Sequence, residues 1–170
     1  MKEILNKLPP KEELENKFTN DPELEYADCY ILPSQECYRG QIKKNVNYRE
    51  GGDMPQFFRF GYGFNYSPNG ARYQGHWKDN MAEGKGTFWH SNGSVYVGEF
   101  SLDRANGSGE YTDANNGSKY VGDFVDDKKE GSGEENWPDG QIYIGSYLNN
   151  LKHGPGVYTF KNGDVFDGNW

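Results

Sequence analysis

The pattern Tyr-x-Gly-x-aromatic comes back at almost constant spacing along the second half of this chain. Tyr73-Gln74-Gly75-His76-Trp77 returns as Tyr96-Val97-Gly98-Glu99-Phe100, as Tyr120-Val121-Gly122-Asp123-Phe124 and as Tyr143-Ile144-Gly145-Ser146-Tyr147. Phe166-Asp167-Gly168-Asn169-Trp170 is the last copy. The first aromatics are 23, 24, 23 and 23 residues apart. A period of this size means that each unit is one supersecondary element that buries its apolar face only by stacking on its neighbours. Such arrays present surfaces more readily than they enclose clefts.

Each unit divides further. A glycine pair follows nine residues after the first glycine: Gly84 and Gly86, Gly107 and Gly109, Gly131 and Gly133, Gly154 and Gly156. Asn92-Gly93, Asn116-Gly117, Asp139-Gly140 or Asn162-Gly163 comes next, and such dipeptides between alternating runs signal hairpins. The unit therefore reads strand, loop, strand, turn. Alternation along a strand puts Tyr73, Gly75 and Trp77 on one face, with Gln74 and His76 on the other. Stacked units then align Tyr73, Tyr96, Tyr120, Tyr143 and Phe166 in one row and Trp77, Phe100, Phe124, Tyr147 and Trp170 in a second. Phe88, Tyr111 and Tyr158 form a third. These rows read as the core of the array rather than a ligand cage, with the glycines leaving room for rings to lie over the backbone.

Composition alone points elsewhere. Leu, Ile, Val and Phe make up 30 of 170 residues and the net charge is −8, values typical of disorder. The 4 Trp, 13 Tyr and 10 Phe resolve the conflict, because rings placed in register carry the apolar area that aliphatic residues do not. Residues 1–37 carry four cations and nine carboxylates, residues 38–72 six and two, and residues 73–170 eight and fifteen. Bulk nucleic-acid binding is excluded by that balance. The N-terminus has neither the apolar run of a signal peptide nor transit-peptide composition, and no stretch reaches membrane-spanning length. The chain therefore reads as intracellular and non-secreted, with Cys29 and Cys37 as free thiols. Pro9-Pro10 followed by Lys11–Phe18 predicts a short helix near 10–18, with Leu14 and Phe18 on one face. Its expected role is to cap the first hairpin, with partner binding as the alternative.

Tyr-x-Gly-x-Trp/Phe, Gly-x-Gly and Asn/Asp-Gly at these spacings resemble the MORN (membrane occupation and recognition nexus) repeat. Gly84-Lys85-Gly86-Thr87-Phe88 and Gly154-Pro155-Gly156-Val157-Tyr158 match its second strand. The resemblance covers residues 73–170 well and 38–72 in broken form. It implies an all-β fold: an elongated single-layer antiparallel sheet of stacked β-hairpin repeats, without an active site in the repeats. The expected divisions are an N-terminal extension over 1–37 with a short helix and an extended segment, a divergent first repeat over 38–72, regular repeats over 73–165, and a half repeat or capping strand over 166–170.

Departures from the pattern are informative. From Gly40 the first repeat runs 21 residues to Gly61 instead of nine, and the added segment holds Lys43, Lys44, Arg49 and Arg59 beside Phe57, Phe58 and Phe60. Glu135 stands where other repeats have Phe88 or Tyr111, predicting a frayed or partner-covered strand. The pattern stops half-way through a unit at Trp170.

No catalytic constellation emerges. His76, His90 and His153 fall at different repeat positions with no nucleophile at recognisable spacing. Asp126-Asp127 and Glu134-Glu135 read as solvated charge. The 126–130 run lacks the spacing of a calcium loop, the cysteines lack zinc partners, and the Gly-x-Gly pairs do not open helices as phosphate cradles do. No catalytic, metal or cofactor residue is assigned. The leading expectation is a non-enzymatic scaffold or assembly subunit with protein partners, of the cytoskeletal, radial-spoke or ciliary axoneme kind that the resemblance implies. Phe57, Phe58, Phe60, Trp89 and Trp137 are the candidate anchors. A peripheral membrane or phosphoinositide module using Lys43, Lys44, Arg49 and Arg59 comes second. An N-terminal accessory domain of a larger enzyme comes third.

Overall fold

In a computed structural model that describes residues 6–170, the strands form one open antiparallel sheet in sequence order. A short helix, α1 (Lys11–Glu15), precedes β1 (Leu24–Ile31), β2 (Cys37–Lys44), β3 (Phe57–Tyr66) and β4 (Arg72–Lys78). β5 (Met81–Trp89), β6 (Val95–Ser101), β7 (Arg104–Thr112) and β8 (Lys119–Val125) follow. The last four are β9 (Lys128–Asn136), β10 (Ile142–Leu148), β11 (Leu151–Thr159) and β12 (Val165–Asn169). Two compact units, residues 1–86 and 87–170, are described separately below.

Two kinds of turn alternate, and the tight one is not where the Asn-Gly signals lie. Asp79-Asn80, Leu102-Asp103, Asp126-Asp127 and Asn149-Asn150 all have positive φ at both residues, the mark of two-residue type I′ hairpins. The sequence pattern reads these positions only as loops. The Asn-Gly and Asp-Gly sites form wider turns instead. His90 N–H donates to the Ser94 carbonyl at 2.8 Å and Gly93 N–H to the His90 carbonyl at 3.0 Å, with Gly93 at φ +93°. The third repeat absorbs its added residue here, since Asp113 N–H reaches the Ser118 carbonyl at 2.9 Å.

In unit 2 each repeat tyrosine folds over its own strand. Tyr96 Oη donates to the Glu99 carbonyl at 2.9 Å, Tyr120 to Asp123 at 3.0 Å and Tyr143 to Ser146 at 3.0 Å. The ring lies over the glycine two residues on and over its cross-strand partner. A Cβ at Gly98 would stand 2.5 Å from the Tyr96 hydroxyl, so these glycines are required by space rather than by φ. The same rings build an edge-to-face ladder. Tyr96 meets Phe100 at 5.1 Å and Phe124 at 4.9 Å, Tyr120 meets Phe124 at 5.2 Å and Tyr147 at 5.0 Å, and Tyr143 meets Tyr147 at 5.3 Å and Trp170 at 5.2 Å. Each such pair adds about 0.5–1.5 kcal/mol beyond area burial. A one-layer sheet is thereby given a core.

Unit 1 is built differently. The first 37 residues contain β1, a strand that the sequence reading did not separate from an extended segment, hydrogen-bonded to β2 from Leu24↔Lys43 to Ile31↔Cys37. Cys29 and Cys37 face each other with free sulfurs 2.7 Å apart. The helix is shorter than the expected 10–18 span, although Lys17 and Phe18 N–H continue its turns to the Leu14 and Glu15 carbonyls at 2.9 and 3.1 Å. α1 contacts β2 and β3, and Leu14 is fully buried. Arg39 donates to the Pro9 carbonyl at 2.7 Å, Gln41 to the Thr19 carbonyl at 2.8 Å, and Lys17 to Tyr62 Oη at 3.2 Å. The N-terminal segment thus covers the face opposite Tyr38. The inserted loop closes on buried Asn45, whose N–H meets the Gln56 carbonyl at 2.9 Å and whose side-chain amide meets the Pro55 carbonyl at 2.8 Å.

Candidate partner-binding site

At Glu135 the structure changes the reading of the aromatic row. β9 is paired on both sides, with Glu135 opposite Tyr120 and Tyr143, so the strand is not frayed. Glu135 Oε1 accepts from Lys129 Nζ at 2.7 Å and Ser118 Oγ at 3.3 Å, and Oε2 accepts from Tyr147 Oη at 3.0 Å. The Lys129 ammonium lies 4.6 Å from the Tyr120 ring centre. A carboxylate is tolerated in the aromatic row because its cation and two hydroxyls are built in. Burial, with help from Glu135, pushes the Tyr147 hydroxyl well above the usual tyrosine range, so it stays a donor.

The position of Lys129 recurs in every repeat of unit 2. Cross-strand register places Ala105 opposite Phe100, Lys129 opposite Phe124 and Lys152 opposite Tyr147. Lys152 Nζ is surrounded by rings, at 4.7 Å from Trp137, 4.8 Å from Tyr143, 4.4 Å from Tyr158 and 5.2 Å from Trp170. Enclosure among these rings lowers its pKa. Trp137, expected as a partner anchor, is therefore engaged by the chain's own lysine.

Ala105 has no such side chain, and the space stays open. A cavity of about 600 Å³ lies there, lined by Phe88, His90, Tyr96, Phe100, Tyr111 and Phe124 around Ala105. Asp103, Asp127, Lys129 and Asn150 complete its wall. His90 is packed edge-on to Phe88 at 4.7 Å and to Tyr111 at 5.9 Å, and desolvation there lowers its pKa despite the opposing charge of Asp127. The third aromatic row thus partly lines an open cavity and is not purely core. Sequence reasoning missed this, although the alternation Ala105, Lys129, Lys152 at one repeat position was visible.

The residues singled out from sequence do not converge. Phe58 lies opposite Lys43 and Phe57 opposite Lys44 on successive positions of β3, so the two rings point to opposite faces. Phe57 stands edge-on to Tyr30 at 6.1 Å, and Lys43 Nζ lies 5.6 Å from the Phe60 ring. Trp89 follows Phe88 directly and faces away from the cavity. Among the four cations, Lys43 is held by Glu23 at 2.6 Å. Lys44 and Arg49 are exposed. Arg59 is packed inward, its guanidinium 4.1 Å from the Trp77 ring and donating to the Asn80 carbonyl at 2.6 Å. Among the described residues, no group of three or more His, Cys, Asp or Glu is placed to hold a metal ion. None of the described helices is long and apolar enough to cross a membrane.

Residues 73–95, 96–118, 120–142 and 143–165 each match the MORN repeat, together more than half of the chain. The chain belongs to the MORN repeat family. MORN repeat-containing protein 3 of Xenopus laevis is 40% identical over 48 residues, 28% of this chain and 20% of the relative. The match thus spans about a fifth of that curated relative's length. The TCP domain of SAS-4 (dCPAP) from Drosophila melanogaster, solved with a proline-rich motif of Ana2 (dSTIL), aligns at 15% identity and TM-score 0.41 over 61% of this chain and 56% of that one. The TCP10 domain of Danio rerio CPAP aligns at 12% identity and TM-score 0.29 over 83% and 71%. Likeness this low carries no argument about function. MORN repeats in general serve as scaffolds or binding modules rather than enzymes, in keeping with the open sheet described above.

Proposed function

We propose that this MORN chain is a non-catalytic scaffold subunit that holds a protein partner in the aromatic cavity of unit 2. One observation carries the reading: a cavity of about 600 Å³, lined by six rings, stands open at Ala105. Its volume is that of a ligand site, and clustered rings supply binding energy at low entropic cost. Phe57, Phe58, Phe60 and Trp89 are secondary contacts in this proposal, whereas Trp137 acts through Lys152. The assembly we favour is cytoskeletal, of the axonemal radial-spoke kind.

Affinity capture from ciliated cells tests this, comparing the chain with its Phe88→Ala/Tyr111→Ala variant. Partners released by the variant, with axonemal proteins among them and circular dichroism unchanged, support the reading. A partner set that ignores the substitution overturns it. The membrane alternative rests on exposed Lys44 and Arg49 near the Phe57–Phe60 segment. Co-sedimentation with anionic vesicles at low salt tests it, and absence of binding removes it.

A further inference from the structure

Three repeats of unit 2 present the same strand position beside the repeat tyrosine, and two of them fill it with a lysine, which meets two rings in the middle repeat and four in the last. In the last repeat the Lys152 ammonium sits among Trp137, Tyr143, Tyr158 and Trp170, all within 5.2 Å. Counting one repeat period at a time, Tyr96 corresponds to Tyr143, Tyr111 to Tyr158, Phe124 to Trp170 and His90 to Trp137. All four line the cavity at Ala105. In the middle repeat Lys129 takes the position, bound to Glu135 at 2.7 Å. The ring faces and the carboxylate are what an ammonium needs, since the quadrupole of each ring presents its negative face to the cation.

We propose that the cavity at Ala105 is a vacant lysine cage that accepts an ammonium group from the partner, a lysine or methylated lysine side chain. The chain's own Lys152 is the template for the bound cation. Asp103 and Asp127 stand at the cavity wall and supply negative charge there, while Lys129, in the same wall, is neutralised by Glu135 at 2.7 Å. Asp127 is fixed there, because its Oδ1 accepts the Ala105 N–H at 2.8 Å and its own N–H returns to the Ala105 carbonyl at 3.0 Å. His90 contributes a ring without a competing charge near neutrality, since desolvation disfavours its protonated form. The cavity is larger than one lysine side chain, which leaves room for the residues that flank it. Unit 2 as a whole carries thirteen carboxylates against six Lys and Arg, which attracts a basic segment and disfavours a second copy of this chain.

This inference rests on the scaffold reading only for its partner, and its test needs none. The probe is n-butyltrimethylammonium, with its uncharged carbon isostere as control, titrated into the full chain and followed by NMR. The proposal expects saturable millimolar binding, shifts centred on Tyr96, Tyr111 and His90, and at least tenfold weaker binding of the isostere. Ala105→Lys places an intramolecular ammonium in the cage and should abolish probe binding while raising the melting midpoint. Should that variant fail to fold, Tyr111→Leu serves instead and should weaken the probe at least fivefold. Equal binding of the isostere, no binding at 50 mM, or unaltered binding by Ala105→Lys or Tyr111→Leu overturns the proposal. Cellular partners lost in Phe88→Ala/Tyr111→Ala but kept in Ala105→Lys would leave the scaffold reading intact and overturn the ammonium.

Discussion

Asn150 and Lys129 are joined twice, although one lies in a turn and the other in the preceding repeat. Asn150 Oδ1 accepts the Lys129 N–H at 2.8 Å, and Asn150 N–H donates to the Lys129 carbonyl at 3.0 Å. Asp127 makes the same pair of bonds to Ala105, and Asn80 makes it to Arg59 at 2.8 and 3.1 Å. The strand opening needs this help. Gly131, two residues after Lys129, bends the strand at φ +64°, and pairing with the neighbouring strand ends there, which leaves the Lys129 amide outside that ladder. The second residue of these three type I′ turns satisfies those groups and fixes one repeat on the last.

Replacing that residue separates its two duties. Asn150→Ala removes the acceptor and places a Cβ-bearing residue without a polar side chain at φ +70°, so we expect a loss of about 2 kcal/mol in urea unfolding. Asn150→Gly restores the backbone freedom but not the acceptor and should lose about 1 kcal/mol. Equal stability of all three proteins would show that the staple contributes nothing.

Glycines under tyrosine rings should be the least replaceable residues of unit 2. Gly98→Ala puts a methyl group where the Tyr96 hydroxyl lies and forces the ring from both its glycines and its bond to Glu99. We expect about 3 kcal/mol, in the range of overpacked cores with a lost buried hydrogen bond. Gly140→Ala meets no atom within 4 Å and suffers only from its φ of +94°, so it should lose about 1–2 kcal/mol. A reversed order in thermal denaturation would refute the spatial account.

The Lys129–Glu135 pair should behave as a unit. Lys129→Met leaves a side chain only 12% exposed as a carboxylate held by two hydroxyls, and we expect about 2 kcal/mol of destabilisation. Lys129→Ala/Glu135→Tyr rebuilds the Ala105 and Tyr111 combination of the preceding repeat and should cost less than either single change. A double-mutant cycle measures the coupling, and simple additivity would contradict the network described.

Much of this was legible in the sequence, and the failures have physical causes. The period set the stacking, and the alternation within Tyr96–Phe100 set which face holds the core, because both follow from backbone geometry alone. The turn types were misassigned because Asn-Gly suits either a two-residue turn or a wider one, while Leu102 gives no warning that its φ will be +50°. Glu135 was misjudged because its partner Lys129 lies six residues away across a bulge, a distance no periodicity expresses. The cavity escaped notice because it arises from a missing side chain at Ala105. A gap is seen only when three repeats are compared at one position.

The two cysteines should differ in reactivity. Cys37 is fully buried, and burial together with its contact to Cys29 pushes its thiol up to about 12. Only the thiolate reacts. At pH 7.5 the folded protein should consume one equivalent of a thiol reagent, at Cys29, and the second only after denaturant is added. Rapid modification of both in the native state would place Cys37 at the surface.

His76 gives unit 1 a pH dependence whose sign is fixed. Its ring packs edge-on to Tyr62 at 5.2 Å, and desolvation, with Lys17 adding repulsion, lowers its pKa in the fold. Above the ordinary histidine value of about 6.5 both folded and unfolded states hold it neutral, and its contribution to stability is fully present. As pH falls below that value the unfolded chain takes up the proton first, so stability declines until the folded-state pKa is passed. His76→Gln has no proton to gain and should show a smaller drop in urea midpoint between pH 7.5 and 5.0 than the parent chain. His90, also lowered, is present in both proteins and cancels in the comparison. Equal drops in the two proteins would show that His76 remains as solvated in the fold as in the unfolded chain.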